Sequence, residues 1–516
     1  MKKVFYFIII LALGLIISCK KDNKNANTDN GPSKNGSTLD LIRDSVFLYA
    51  KEAYYWYDAL PTYATFNPRS YTGTDDLTTL TKEVDAISQF KINPATNKPY
   101  EYYTPSPGEA KYSFIDQGEV STQLNGTNGD FGFAPLYNDI NDLRIKYVYP
   151  GSPADLAGIK RGYKITAING NTSFAYDGAT GTNTQFVINA YAYSSTITMT
   201  LLKPDGTNLN VSLNTAKYTS NPVLTYKTFD QGNGRIVGYM VFNEFTSDAN
   251  ADAPIDAAFN YFVSHGVTDL VVDLRYNGGG YVSTAEYIDN WIVPVAKSGS
   301  TMYSSYYNDI LANGKASILK NQVLRDPTTN QLYNYAQFDY SVAGNAIKFV
   351  KKGSLNVSNV FFIVTGGTAS ASELTINNLR PQLNVQLIGT TTYGKPVGFF
   401  ALNINKYQLY IPEFETKNSA GQGGYYTGMT PGSTDYPGKN DYDDVTKDFG
   451  DPTEGLLAHA LNYVKLGTYD VAAPKVQSLS GNVRTFSLDQ SNAAAIQLGQ
   501  HQFSGMVINK KNLKIK

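Results

Sequence analysis

The chain has 516 residues, which at about 150 residues per domain gives room for two to four domains. It is 42% hydrophobic and 17% charged, the composition of a folded chain, and its net charge of -1 argues against a general nucleic-acid binder. One Cys and three His (His265, His459, His501) exclude an intrachain disulfide framework and a Cys-based zinc site, and neither metal nor cofactor is expected. At the start, Lys2 and Lys3 precede the apolar run Val4 to Ile17. As a helix that run reaches about 21 Å, short of a hydrocarbon core of about 30 Å. A charged start with a short apolar stretch predicts a secretory signal peptide over residues 1–18.

The run ends Ile16-Ile17-Ser18-Cys19, which resembles the bacterial lipobox. The resemblance implies that Cys19 is lipidated and becomes the new N-terminus. Its acyl chains would then anchor the protein to a membrane without a spanning helix. The expected location is the cell envelope, as an outer-membrane lipoprotein facing the periplasm or the exterior. Residues 19–37 are polar and read as a flexible tether. No later segment is long and apolar enough to span a membrane.

Leu39, Ile42, Val46, Tyr49, Ala53 and Trp56 recur at steps of three and four and predict an amphipathic helix, with Ser37 and Asp40 as its capping box. A second helix is expected near Leu77 to Phe90, before Pro94, Pro99, Pro105 and Pro107 break the chain. Residues 38–115 thus read as a small helical N-terminal domain. From Asp130 the texture changes to short strands, with Leu143–Val148, Ile197–Leu202 and Leu209–Leu213 expected. The stretch Pro150-Gly151-Ser152-Pro153-Ala154 through Ile165-Thr166-Ala167-Ile168-Asn169-Gly170 resembles a PDZ domain, placed over 116–220. The resemblance implies that Phe131, Gly132 and Phe133 offer backbone N–H groups to a peptide's terminal carboxylate while the peptide adds a strand to the sheet.

From residue 221 to 469 strands alternate with helices, which argues for a mainly parallel, layered sheet. Strands are expected at Val237–Phe242, Leu270–Leu274, Val360–Thr365 and Val385–Ile388. Helices are expected at Ile255–His265, Thr284–Trp291 and Ala371–Leu379, with a closing helix after Gly455 to about Leu466. Residues 298–352 read as an insertion over one end of the sheet, and 419–440 as a Gly-rich loop. Residues 470–516 form an extension to which the sequence assigns no role, and no internal repeat is present.

Three features converge on chemistry. Asp273-Leu274-Arg275-Tyr276-Asn277-Gly278-Gly279-Gly280 follows a strand, and its glycines free N–H groups to face a cleft, as an oxyanion hole requires. Gly366-Gly367-Thr368-Ala369-Ser370-Ala371-Ser372-Glu373 lies between a strand and a helix, placing Ser370 where the helix dipole favours negative charge. Ser370 could equally be an N-cap, and Ser372 competes with it as nucleophile. Thr392-Tyr393-Gly394-Lys395-Pro396 offers a lysine that serves as a base only if burial lowers its pKa.

Together these segments resemble the C-terminal processing peptidases, or tail-specific proteases, of serine peptidase family S41. That family carries D-L-R-x-N-x-G-G, T-A-S-A-S-E and T-x-G-K segments, and here Ser370 and Lys395 stand at the family's spacing of 25 residues. Lys111-Tyr112-Ser113-Phe114-Ile115-Asp116 and Gly450-Asp451-Pro452-Thr453-Glu454 look like those of a lipid-anchored sub-branch. The implied fold is multidomain α/β: a helical N-terminal domain, a PDZ-like β-rich domain and a layered, crotonase-like core. The implied mechanism is a Ser–Lys dyad. Ser370 attacks a peptide carbonyl, neutral Lys395 takes and returns the proton, and Gly278, Gly279 and Ala371 hold the oxyanion. Polypeptides are the implied substrates; the oligomeric state is open.

One position departs from the family. Some relatives carry a polar residue, often Gln, four positions after the lysine; here it is Phe399. Some other group must position the amine. Glu373 is a weak candidate, since a salt bridge would raise the lysine pKa. Gly389 to Pro396 imitates a P-loop, but Pro396 stands where Ser or Thr should bind Mg²⁺. Ser317-Ile318-Leu319-Lys320 is a chance S-x-x-K, and the cluster Asp441, Asp443, Asp444 reads as a solvated loop. The rival function is a catalytically silent envelope lipoprotein that holds peptides in its PDZ groove and cleft.

Overall fold

The structure, a computed structural model, describes residues 31–178, 180–326, 329–470, 494–495, 498–499, 503–508 and 514–515. Cys19 and the signal segment lie outside the described residues, as do His501 and most of the stretch after 470.

Helix α1 (Thr38–Ala53) begins with the reciprocal box read from the sequence: Asp40 N–H donates to Ser37 Oγ at 3.1 Å, and Ser37 N–H donates to Asp40 Oδ2 at 2.8 Å. Helix α2 (Asp76–Ser88) is capped by Asp75, which accepts from Thr78 N–H at 2.8 Å. Neither helix encloses a core of its own. Val46, Phe47, Leu80 and Val84 belong to one continuous cluster with Phe242, Phe362 and Phe400 of the α/β part. The short strand β1 (Phe114–Asp116) then pairs antiparallel with residues 407–410, tying this region to the core by backbone bonds.

The next unit is a five-stranded antiparallel sheet of β2 (Phe133–Asp139), β3 (Asp142–Val148), β4 (Lys164–Ile168), β5 (Thr196–Leu202) and β6 (Asn208–Asn214), in that order, with helix α3 (Thr182–Ile188) before β5. Alternation sets its faces: Ile197, Met199 and Leu201 are buried while Thr196 and Thr198 are exposed. Its core of Phe131, Ile145, Ile165 and Leu201 is separate from the larger cluster.

The α/β part contains β7 (Val223–Asp230), β8 (Ile236–Phe242), α4 (Asp248–Ser264), β9 (Asp269–Asp273), β10 (Gly279–Tyr281), α5 (Val282–Ile292) and β11 (Thr301–Tyr307). It continues with β12 (Asn359–Val364), α6 (Ala371–Leu379), β13 (Asn384–Gly389), β14 (Val397–Gly398), β15 (Tyr407–Tyr410), β16 (Phe414–Asn418), β17 (Gly438–Asn440) and α7 (Gly455–Leu466). The main sheet runs β7-β8-β9-β12-β13-β17, parallel from β8 onward, with β7 antiparallel at one edge. Its strands are apolar on both faces, as a covered parallel sheet requires. Leu270, Val272 and Phe362 face the layer holding Phe259, Ile288 and Leu374, and Val271, Phe361 and Ile363 face Leu456 and Leu457 of α7.

Three expectations need correcting. Helix α4 starts at Asp248, well before Ile255, and accommodates Pro254 in its interior. The 298–352 segment contributes β11 to a second sheet beside β16 and β14 instead of forming a separate cover. The Gly-rich 419–440 stretch ends in β17, where Gly438 adopts φ 149° and lies so close to Leu387 that a Cβ would strike its carbonyl.

The PDZ-like sheet is pinned to the core by a buried ion network. Arg275 donates to Asp273 (2.7 and 2.9 Å), Glu454 (3.0 and 3.1 Å) and Asp443 (2.6 Å). Arg161, from the loop before β4, donates to the same Asp443 oxygen at 2.7 Å and to Tyr276 Oη at 2.6 Å. Asp443 is therefore not solvated: the two guanidiniums hold its carboxyl far below the usual range against the effect of burial. Glu454 also caps α7 by accepting from Leu457 N–H at 3.0 Å. Removing Arg275 would leave Asp273 and Glu454 without a cation and Asp443 with Arg161 alone, so Arg275→Leu should cost about 3–5 kcal/mol of stability in denaturant unfolding. Lys439→Ala, which breaks an exposed pair with Asp470, should cost less than about 1 kcal/mol.

Candidate active site

The turn between β12 and α6 carries Ser370 in a backbone conformation that L-residues avoid, φ 58° and ψ -104°. Such strain persists only where surrounding structure enforces it, and it clusters at functional sites. Here the enforcing group is Glu373. Its Oε2 accepts from Ser370 N–H at 2.8 Å and from Lys395 N–H at 2.9 Å. Its Oε1 accepts from Gly394 N–H at 2.7 Å and Thr392 Oγ1–H at 2.5 Å. One carboxylate oxygen thus holds the backbones of both dyad candidates. Burial raises the Glu373 pKa and these four donors pull it back toward ionisation. Glu373 orients the main chain on either side of the site, not the lysine amine.

The two serines separate cleanly. Ser372 Oγ–H donates to the Asn277 carbonyl at 2.9 Å and is spent on structure. Ser370 stands at the N-cap position of α6, but its Oγ is fully buried and makes no hydrogen bond among the described residues, so the hydroxyl is not spent on capping. Asn277 anchors the facing loop as well: its side chain donates to the Phe242 carbonyl at 2.9 Å, and its carbonyl accepts from Ala369 N–H at 3.0 Å.

Of the three expected oxyanion groups, Gly279 donates its N–H to Asn277 Oδ1 at 2.9 Å, so it is not free to bind an oxyanion. Its Cα nevertheless abuts the nucleophile turn, where a Cβ would lie 3.0 Å from Ala371 N. Ala371 occupies the first position of α6, where a helix N–H has no intrahelical acceptor. Gly278 and Ala371 remain as donors.

Lys395 is fully buried. Its Nζ donates to the Ser504 carbonyl at 2.7 Å and the Tyr112 carbonyl at 3.4 Å, and lies 4.0 Å from the centre of the Phe399 ring. Burial above all pushes its pKa well below that of a free lysine; Glu101 opposes this, the nearby Lys111 ammonium adds to it, and Glu373 opposes it. Lys111 is itself half-buried, and desolvation lowers its pKa to about 8. Tyr112 is fixed from both ends. Its N–H donates to Glu101 Oε2 at 3.0 Å and its hydroxyl to the Gly394 carbonyl at 2.6 Å.

Tyr112, Lys111, Glu101 and Ser504 were not foreseen as site residues. The first two stand in the Lys111–Asp116 motif, which was visible but had no assigned role. Nothing in the sequence marks Glu101 or Ser504.

In the PDZ-like unit, Gly132 takes φ 81°, and a Cβ there would strike the Ser152 side chain. Its N–H, expected to meet a peptide carboxylate, donates to Asp130 Oδ1 at 2.8 Å. Phe131 and Phe133 are buried in the domain core. A cavity of about 480 Å³ separates this loop from the catalytic core, lined by Asp130, Phe133, Tyr147, Glu244, Gly278 and Phe503. No cluster of His, Cys, Asp and Glu suited to a metal is present among the described residues.

Comparison with known proteins agrees with this geometry. Residues 236–431 match the model of peptidase family S41, and residues 144–186 match a PDZ domain model. A carboxyl-terminal-processing protease of Picosynechococcus sp. is 25% identical over 277 residues, covering 54% of this chain and 55% of that one. A chloroplastic C-terminal processing peptidase of Tetradesmus obliquus is 26% identical over 298 residues, 55% of each chain. The chain thus spans about half the length of these relatives. A solved structure from Bacteroides fragilis NCTC 9343, provisionally named an S41 protease, aligns with TM-score 0.51 and 23% identity over 81% of this chain and 96% of that one. The similarity is thus to a peptidase domain preceded by a PDZ domain. Residues 236–431 are similar to peptidases of family S41.

Glu373→Ala would leave three backbone N–H groups and one hydroxyl without an acceptor. At about 1–3 kcal/mol for each buried orphan, the loss should reach several kcal/mol, or prevent folding, in thermal unfolding. The serines should separate under a fluorophosphonate probe. Ser370→Ala should abolish covalent labelling, and Ser372→Ala should retain it at a reduced rate.

Proposed function

We propose that this chain is a serine endopeptidase acting on extended or unfolded polypeptides through a Ser370–Lys395 dyad. The observation that carries the reading is a fully buried lysine amine, its pKa lowered by desolvation, whose backbone shares one carboxylate oxygen with that of a strained, unpartnered serine. In this reading Ser370 Oγ attacks the scissile carbonyl as Lys395 takes its proton. The Gly278 and Ala371 N–H groups receive the oxyanion at the mouth of α6, where the helix dipole adds to them. The tetrahedral species collapses to an ester on Ser370 as Lys395 returns the proton to the leaving amine. Water then cleaves the ester, with Lys395 again as base.

The cavity between the PDZ loop and Gly278 is the entry for substrate in this reading. Asp130 already occupies the Gly132 N–H and places a carboxylate there, which favours capture of a strand by its backbone over capture of a free carboxylate. The lipobox reading of Cys19 supports attachment to the cell envelope, and incorporation of labelled palmitate, lost in Cys19→Ala, is its test.

Hydrolysis of an unfolded polypeptide panel should be lost in Ser370→Ala and in Lys395→Ala. Lys395→Arg should fail as well, because a guanidinium does not deprotonate. Retained peptide binding in an otherwise inert wild-type chain would instead favour the silent peptide-holding protein.

The rate should fall toward acid pH, because protonation of Lys395 removes the base; a flat profile between about pH 5 and pH 9, with the fold intact, would contradict this assignment. Lys111→Met removes a positive charge that disfavours protonation of Lys395, so the acid limb of kcat/KM should move to higher pH.

A further inference from the structure

We propose that the strand at residues 503–508 is a working part of the active site, the main-chain carbonyl of Ser504 positioning the Lys395 amine where Phe399 offers no polar group. This rests on the dyad reading above and adds a positioning residue to it.

A neutral amine has two N–H bonds and one lone pair. The Ser504 carbonyl at 2.7 Å and the Tyr112 carbonyl at 3.4 Å take the two N–H groups. That leaves the lone pair free to accept a hydroxyl proton; no hydrogen bond joins it to Ser370 Oγ here, and that hydroxyl is one without a partner among the described residues. The Phe399 ring closes the remaining side. The charged groups around the amine are Lys111, Glu101 and Glu373. The strand, Phe503-Ser504-Gly505-Met506-Val507-Ile508, adds none, so it fixes the amine with a dipole and avoids the pKa rise a carboxylate would bring.

The strand, β18 (Gly505–Val507), is bonded along both edges. It runs parallel to β10, with Gly505 N–H donating to the Gly278 carbonyl at 2.9 Å. On its other side Phe399 N–H donates to the Met506 carbonyl and Ile508 N–H to the Phe399 carbonyl, both at 2.9 Å. Met506 is fully buried in the main core. The approach needs glycine on both sides: a Cβ on Gly279 would strike the Gly505 carbonyl, and one on Gly398 the Met506 side chain. A strand paired on both edges with a buried core residue is interior sheet, unlike a peptide added reversibly to an open edge. This favours a resident component over a blocking strap.

Two variants of the full chain test the proposal, each read by kcat and KM on a flexible peptide and by NMR titration of Lys395 labelled at ¹³Cε. Placing glycolate at position 505 in cell-free translation turns the Ser504–Gly505 amide into an ester, whose carbonyl is a poorer acceptor. We expect kcat to fall about 10–100-fold with KM changed less than about threefold. The Lys395 titration should move to lower pH, because the ammonium loses a partner. Gly505→Val would drive its side chain into the Phe503 and Phe399 rings and displace the strand. Here kcat should also fall, but the titration should move to higher pH as water reaches the amine.

Opposite titration shifts with a common loss of rate are not expected of a merely structural strand. A rise in kcat in either variant would make the strand a strap over the cleft and overturn the proposal. Unchanged kcat and titration in the ester chain would overturn it too. If the wild-type chain hydrolyses nothing, the peptidase reading fails, while the ester-induced titration shift still reports whether Ser504 holds the amine. Should Gly505→Val fail to fold, the ester chain decides alone.

Discussion

The site depends on one carboxylate. Glu373 gathers the N–H groups of Ser370, Gly394 and Lys395 and the hydroxyl of Thr392. Each is a buried donor that would otherwise cost free energy, and together they occupy a carboxylate's accepting sites. The consequence is geometric. The strand-to-helix turn after β12 and the loop after β13 are separate in sequence and meet at a single side chain. Ser370 can therefore hold its strained φ, because the bond that fixes its amide also fixes the loop carrying Lys395. The same arrangement explains why the Glu373 carboxylate, close to Lys395, does not take hold of its amine. Glu373 is already saturated by four other donors, and desolvation dominates the lysine's titration.

Much of this was legible in the sequence because it is local. Both dyad candidates lie in short strand-loop segments whose spacing is fixed by one helix and one strand, and the apolar runs of the parallel sheet are continuous enough to read directly. What escaped was assembled from a distance. The groups that touch the Lys395 amine come from Tyr112, Phe399 and Ser504, and two of them are backbone carbonyls, which leave no trace in side-chain identity. Glu101 was invisible for a similar reason: its four donors are the Tyr54 hydroxyl, the Tyr112 and Ser113 N–H groups and the Ser113 hydroxyl. Asp443 was misread because acidic loop residues are usually solvated, and only the fold reveals two guanidiniums converging on it. Gly279 is a subtler case. A glycine run frees amides in general, but which amide stays free depended on where the Asn277 side chain turned.

Desolvation explains why the helical N-terminal region shares the main core and does not stand apart as its own domain. An amine stays neutral only if water is excluded on every side. The α/β layers cover Lys395 from one direction. The remainder of its cover is the Tyr112 ring, held by Glu101, together with Phe399 packed against Phe114 and Phe503. Residues far apart in the chain are therefore buried together around Lys395. The continuous cluster running from α1 through the sheet to Met506 is the physical form of that requirement.

The same chain segment that meets the amine also meets the PDZ domain. Leu498 is buried beside Phe131 and Phe133, its carbonyl accepting from the Tyr191 hydroxyl, while Ser504 lies on Lys395. Arg161 makes a second tie through Asp443 to Arg275, at the foot of the loop that presents Gly278. The cavity between these ties is bordered by Phe133, Gly278 and Phe503. A peptide entering it would touch the PDZ loop, the oxyanion loop and the 503–508 strand together. Any shift of the PDZ domain on peptide binding would have to act against a buried ion network on one side and a backbone-paired strand on the other. One ends at the loop that carries Gly278 and the other at the Lys395 amine. Rigid coupling of this kind converts a small displacement at the peptide groove into a change at the reacting atoms, because packed and paired elements move as units.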